Sequence, residues 1–135
     1  MIGILVVCHG DLAKGLLNSM SLIVGKQENI GAIGLYENDS IDEFPERIKE
    51  KIEELINDEG LIIFVDIIGA SPFNACARVI HENPELKLSL ITGVNLPMLL
   101  ETSLNYAEDL SLEELSLIIK DIGREQIKTL SEIIK

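Results

Sequence analysis

Tryptophan is missing from this 135-residue chain, and aromatic residues together make up only 4% of it. Proteins that grip nucleotides, flavins or single strands lean on aromatic faces for stacking, so this scarcity counts against such ligands. Nor does the first turn carry a Gly-rich dinucleotide fingerprint or a P-loop. Basic residues are few: 11 against 23 acidic ones, a formal net charge of -12. A surface that acidic repels phosphate backbones and anionic headgroups, so neither nucleic acid nor direct membrane insertion is expected. Cysteine occurs twice, at Cys8 and Cys76, in no metal-ligand spacing. Both read as small core residues of a reduced, cytoplasmic protein. No run reaches the ~20 apolar residues of a bilayer span, and the opening MIGILVVCHG lacks the basic lead of a signal peptide.

What is present is a regular alternation. Hydrophobic residues form 47% of the chain, with no linker and no internal repeat, which predicts one domain over 1–135. Short apolar runs alternate with longer stretches of helical period, the pattern of a parallel sheet with helices on both faces. Ile2 to Val7 reads as a strand buried on both sides. A helix from Asp11 to Val24 follows, with Leu12, Leu16, Met20 and Ile23 as its stripe. Ile30 to Tyr36 is the second strand. Ser40 with Glu43 predicts a capping box for a second helix, whose stripe runs Ile41, Phe44, Ile48, Ile52, Leu55 and Ile56 up to Gly60. Leu61 to Val65 is a central strand, and Ser71 with Pro72 marks a helix start with serine as the cap. Leu86 to Ile91 alternates with Lys87 and Ser89, as an edge strand does. Asn95 with Pro97, and Ser111 with Glu114, open two more helices. Ile127, Leu130, Ile133 and Ile134 have helical spacing. The acidic runs Glu43 to Glu59 and Glu108 to Glu125 read as solvated helix faces; a steering field for a basic partner would leave the same trace.

Three polar clusters fall just past the carboxyl ends of predicted parallel strands: Cys8-His9-Gly10-Asp11, Asp66 to Pro72, and Thr92 to Pro97. Open parallel sheets place their binding crevice along that edge. With right-handed crossovers, the first and third strands are neighbours, ~5 Å apart, and Asp66 stands beside His9. These residue types suit a phosphohistidine. An imidazole with a reference pKa of about 6.5 offers a neutral nucleophilic nitrogen, and a carboxylate on the other nitrogen fixes the tautomer. Backbone N–H groups after Gly10, at a helix start, can hold phosphoryl oxygens. Ser71 can add a hydroxyl, and Gly69 and Gly93 keep side chains out of the way. His9 and Asp66 are too few to hold a metal, and no cofactor is expected. Cys8 and His9 form no dyad, because successive strand residues face opposite ways. His81, near a helix end, reads as plain surface.

At these clusters the chain resembles the mannose-family enzyme IIA domain of the bacterial sugar phosphotransferase system. The stretches VVCHGDLAKGL, FVDIIGASPFNAC and ITGVNLPMLLE match in order and spacing. The resemblance implies that His9 takes phosphate from the histidine phosphocarrier protein and passes it to an enzyme IIB subunit for sugar uptake. Asp66 would orient the imidazole, with Gly10, Gly69 and Ser71 at the phosphoryl site and Thr92, Gly93 and Asn95 as lining. It also implies an open three-layer α/β fold with four parallel strands in the order 2-1-3-4. A C-terminal antiparallel edge strand at Gln126 to Leu130 would complete it, exchanged between subunits of a homodimer. That strand conflicts with the helical spacing of the same residues; the strand is the expectation adopted here. Two departures are Ala70, where the family commonly has glycine, and Cys8, where a threonine-like residue is usual. Two alternatives use the same histidine: the phosphoryl donor subunit of a dihydroxyacetone kinase, and a regulatory module that senses phosphorylation. The TGVNLPMLLE loop favours the sugar-permease branch.

Overall fold

The computed structural model describes residues 1–104 and 109–134; Glu108, at the head of the second acidic run, lies outside them. Strand β1 (Gly3–His9) is buried along its whole length up to Cys8, as a central strand covered on both faces must be. Strands β2 (Ile30–Leu35), β3 (Leu61–Val65) and β4 (Leu88–Ile91) join it in the order β2-β1-β3-β4. Every pairing in this sheet is parallel.

Alternate residues of β1 feed two cores. Ile4, Val6 and Cys8 pack with helices α1 (Leu12–Val24), α4 (Leu96–Thr102) and α5 (Leu112–Glu125). Leu5 and Val7 pack with helices α2 (Phe44–Leu55) and α3 (Ser71–Glu82). The expected three layers are therefore present, with the sheet in the middle.

Several local expectations are corrected. The buried stripe of α1 is Ala13, Leu16, Leu17 and Met20, not the line through Leu12 and Ile23, which are exposed. Spacings of three and four still define the stripe, but alanine at position 13 takes the inward place that a count of large side chains gives to leucine. Helix α2 begins at Phe44; the Glu43 N–H reaches Ser40 Oγ at 3.4 Å across a turn that precedes the helix. It ends at Leu55, where Ile56 turns extended, before Gly60 is reached. The Ser111–Glu114 capping box forms as expected.

The expected antiparallel fifth strand is absent among the described residues. Residues 127–129 pair with nothing, and the chain then makes a short helix, α6 (Leu130–Ile133). The physical reason is local. Thr129-Leu-Ser-Glu132 is itself a helix-start signal, and the Thr129 N–H donates to the Glu132 carboxylate at 3.3 Å. Ile127, Leu130, Ile133 and Ile134 remain exposed. Among the described residues no helix is long and apolar enough to cross a membrane.

Candidate functional site

His9 is the last residue of β1, where the strand emerges from the core, and its side chain is 48% exposed. Two neighbouring strands hold it. On one side it pairs with Leu35 of β2, and the next N–H, that of Gly10, donates to the Leu35 carbonyl at 2.8 Å. On the other side, the Val7–Val65 pairing ends the ladder with β3, and the chain beyond carries Asp66 to His9.

Asp66 grips the histidine twice. Its Oδ2 accepts the His9 backbone N–H at 2.9 Å and meets the ring Nδ1 at 2.8 Å. The Ile67 N–H donates to Oδ1 at 2.9 Å. The carboxylate is only 9% exposed, and that burial alone pushes its pKa up. The hydrogen bonds from the His9 N–H, the ring and Ile67 outweigh it, with a smaller part from the charge on His9, and hold the group below the ordinary aspartate value. Asp66 is thus ionised at neutral pH. An ionised acceptor on Nδ1 places the proton there and leaves Nε2 as the nucleophilic nitrogen.

The three clusters converge as the topology demands, and each turns on a glycine: Gly10, Gly69 and Gly93 have φ of 55°, 79° and 68°. A Cβ at any of them would meet open space, so the left-handed conformation, not crowding, calls for glycine there. The Val94 N–H donates to the Val65 carbonyl at 3.1 Å, tying the Thr92–Gly93 loop to the end of β3. Ala70, in contrast, is extended at φ -85°, so alanine is accommodated without strain.

The expected lining residues differ in how far their polar groups are already engaged within the fold. Gly10 spends its N–H on Leu35, while the N–H groups of Leu12, Ala13 and Lys14, in the first turn of α1, have no acceptor within the helix. Ser71 is not the cap of α3 but its first residue, after Ala70; its hydroxyl has no partner among the described residues. Asn95 caps α4, accepting the Met98 N–H at 3.1 Å and donating to the Gly123 carbonyl at 3.1 Å. Its amide oxygen and nitrogen each make a bond in joining two helices. Thr92 lines a cavity of about 330 Å³ along the open edge of β4, with Phe73 and Leu117.

Cys8 lies buried on the far face of β1; burial first, then the Asp66 charge, push its thiol up to about 12, so it stays protonated. Cys76 is likewise buried and raised. Residues that the motif reading passed over complete the surroundings. Leu12, the first residue of α1, and Ile67 and Ile68, in the loop after Asp66, expose apolar side chains. Tyr36, also exposed, donates its hydroxyl to Asp11 Oδ1 at 2.5 Å. Ile67 and Ile68 were readable as large apolar residues inside a loop, where burial has no use for them; nothing local announces Tyr36.

A half-exposed histidine with one nitrogen fixed by a buried carboxylate, beside helix starts that no side chain closes, is the class of arrangement suited to a small anion at a surface. Comparison with known proteins gives that class its family. Residues 3–120 match the family model of the PTS system fructose IIA component. The PTS system mannose-specific EIIAB component of Escherichia coli (strain K12) is 33% identical over 129 residues, covering 96% of this chain and 39% of that protein. The PTS system fructose-specific EIIA component of Bacillus subtilis (strain 168) is 30% identical, covering 98% of this chain and 88% of that protein. The crystal structure of phosphotransferase system component EIIA from Streptococcus agalactiae superposes with a TM-score of 0.87 at 26% identity, covering 98% of this chain and 99% of that one. The chain belongs to this family, the IIA components of the PTS system. It spans about two-fifths of the length of the EIIAB relatives, 39%.

Proposed function

We propose that His9 Nε2 accepts a phosphoryl group from the histidine phosphocarrier protein and passes it to an enzyme IIB component, in support of sugar uptake. The observation that carries this reading is the double attachment of His9 to Asp66, at 2.9 and 2.8 Å, which leaves Nε2 as the free nitrogen of a half-exposed ring. Transfer is in-line. The Nε2 lone pair forms the new P–N bond as the bond to the donor imidazole breaks, and the donor nitrogen keeps the electron pair. Nδ1 keeps its proton, and the positive charge that develops on the phosphorylated ring is met by the Asp66 carboxylate. The transferred oxygens are held by first-turn N–H groups of α1, with the Ser71 hydroxyl as a further donor. The whole of 1–135 is read as one IIA-type domain.

The exposed apolar collar of Leu12, Ile67 and Ile68 supports a protein as donor and acceptor, since a small ligand would call for a cavity at this point. Self-association is read from a different region. Four exposed apolar side chains at 127–134 call for cover, and the cavity beside β4, whose lining includes Phe73, Leu90 and Leu117, offers it in a second copy, which favours a homodimer. Light scattering of the chain, and of a form ending at Gln126, tests it: a dimer and a monomer respectively are expected. Two monomers would remove the dimer.

The carrier assignment is tested by intact-mass spectrometry after incubation with phosphoenolpyruvate, enzyme I and the histidine phosphocarrier protein. One acid-labile phosphoryl adduct is expected, absent from His9→Ala, and it should be lost on adding IIB. An adduct in His9→Ala, or none in the native chain, rejects His9 as the carrier; an adduct that no IIB discharges supports the regulatory alternative instead.

A further inference from the structure

Tyr36, the residue after β2, is the one exposed aromatic side chain among the described residues; Phe44 and Phe64 are buried and Phe73 is half-buried. It is 48% exposed, yet each of its polar groups is bound. Its hydroxyl donates to Asp11 Oδ1 at 2.5 Å. Its N–H donates to Asp39 Oδ2 at 2.8 Å, its carbonyl accepts the Asp39 N–H at 3.0 Å, and Arg47 meets the same Asp39 oxygen at 3.4 Å. A ring on a protein surface ordinarily keeps its rotamer freedom; this one has lost it.

Gly34 sets where the ring lies. A Cβ there would fall 2.2 Å from the Gly10 carbonyl oxygen and 2.9 Å from the Tyr36 ring, so the ring and the turn after His9 share the space that a side chain at 34 would take. Leu35, the residue before Tyr36, is itself paired with His9, which puts the ring at the rim of the His9 crevice. Tyr36 also extends the apolar collar. Leu12 follows β1, Tyr36 and Ile41 follow β2, and Ile67 and Ile68 follow β3, so three adjoining strand ends expose apolar side chains along one edge of the sheet.

We propose that Tyr36, preset by its bond to Asp11, is the aromatic anchor on which the phosphoryl donor protein seats as it approaches His9. The inference rests on the carrier reading of His9 and deepens it. Aromatic side chains are enriched among the residues that dominate interface energies, and a ring already immobile adds no ordering cost when the partner binds. The donor is the occupant because the Tyr36–Asp11 bond is formed in the unphosphorylated chain, which is the form the donor meets; the acceptor meets the phosphorylated form. Asp11 sets a carboxylate beside the ring, which suits a donor surface with an apolar patch and a basic group next to it.

Steady-state phosphorylation with the phosphorylated histidine phosphocarrier protein as the varied substrate tests this. Tyr36→Ala should raise KM by about tenfold and keep kcat, as loss of an aromatic interface anchor does. Tyr36→Phe keeps the ring and loses only the bond to Asp11; KM should rise by about two- to fourfold, the cost of ordering one freed side chain. A role confined to shaping the turn after His9 gives the opposite split, with kcat reduced and KM constant. That split, or a native KM in either variant, overturns the proposal. The native chain supplies a second readout. The NMR signals of the Tyr36 ring, assigned by their loss in Tyr36→Phe, should shift when the unphosphorylated phosphocarrier protein is added, and an unmoved ring overturns the anchor. A native chain that takes no phosphoryl group marks failure of the carrier reading, while the ring shift still decides the anchor.

Discussion

One oxygen of Asp66 meets both the backbone N–H and the ring Nδ1 of His9, at 2.9 and 2.8 Å. The consequence is that the imidazole is fixed relative to its own main chain, so the orientation of Nε2 is set by the sheet and not by a rotamer choice. A phosphoryl group moving between two proteins needs that constancy, because in-line geometry must be reached twice, once with each partner.

Replacing Asp66 by Asn tests this arrangement. The amide oxygen can still accept from His9, but its NH2 then faces the Ile67 N–H, and no negative charge remains to balance the phosphorylated ring. Phosphoryl transfer should slow by about ten- to a hundredfold, the worth of one charge-assisted hydrogen bond. A rate within twofold of the native one in a rapid-quench assay would remove the charge from the mechanism.

Asp66 also predicts an acid limb. Its pKa is lowered in the folded chain: burial opposes this, but the His9 and Ile67 hydrogen bonds prevail. A depressed carboxylate contributes stability that is fully present above its unfolded value near 3.8 and disappears as pH falls through the lower folded value. Denaturant titrations of the native chain and of Asp66→Asn should therefore converge in the acid range and separate above about pH 4. Parallel curves throughout would refute the assignment.

Gly69→Ala separates conformation from space. The position has φ 79° and an added methyl would meet nothing within 4 Å, so the cost is backbone strain alone, about 1–2 kcal/mol. Urea unfolding should show that loss. Phosphorylation should also slow, because relieving the strain shifts the turn that leads from Asp66 into α3. Unchanged stability would mean that the turn readily adopts another conformation.

The sequence made the sheet legible because β1 and β3 need buried side chains on both faces, and unbroken runs such as Leu61–Val65 have few other uses. The pairing of His9 with Asp66 followed from strand order, and the three loop glycines from their positions past strand ends. What escaped depended on choices that a local pattern does not contain. Ser71 and Ala70 are both compatible with a helix start, and the extended residue is Ala70, which puts Ser71 inside the first turn. Ala13 is a weak apolar signal beside Leu12, yet it points inward. At the C-terminus the strand is implied by the family resemblance, whereas the spacing of Ile127, Leu130, Ile133 and Ile134 and the Thr129–Glu132 signal favour a helix; the short-range capping interaction prevails. The Tyr36–Asp11 bond joins residues 25 apart in the chain and has no sequence signature of its own.

The apolar collar predicts a separation of kinetic constants. Ile67 and Ile68 are exposed, and Ile68 at 72% has little packing to lose. Ile68→Ser should leave thermal stability within about 0.5 kcal/mol, as exposed substitutions do. The KM for the phosphorylated donor protein should rise by about three- to tenfold, as when an apolar interface side chain is truncated at a cost near 1 kcal/mol, while kcat is kept. A fall in kcat with constant KM would place Ile68 at the phosphoryl group instead of the docking surface.

Asn95→Ala distinguishes a lining residue from a strut. Asn95 closes α4 by accepting the Met98 N–H at 3.1 Å and reaches α5 by donating to the Gly123 carbonyl at 3.1 Å. Gly123 is tight against the same helix, since a Cβ there would fall 2.5 Å from Met98 Cγ. The two helices thus touch where neither offers room for rearrangement, and the amide supplies the polar bond between them. Losing it removes a cap and leaves a half-buried carbonyl unpaired, together about 2 kcal/mol. A Tm drop of about 5–10 °C is expected for a chain of this size. Phosphorylation measured well below that Tm should stay near the native rate, because every polar atom of the Asn95 amide that makes a bond makes it within the fold. A variant with native Tm and slow phosphorylation would reverse this conclusion and put Asn95 among the residues that contact the phosphoryl group.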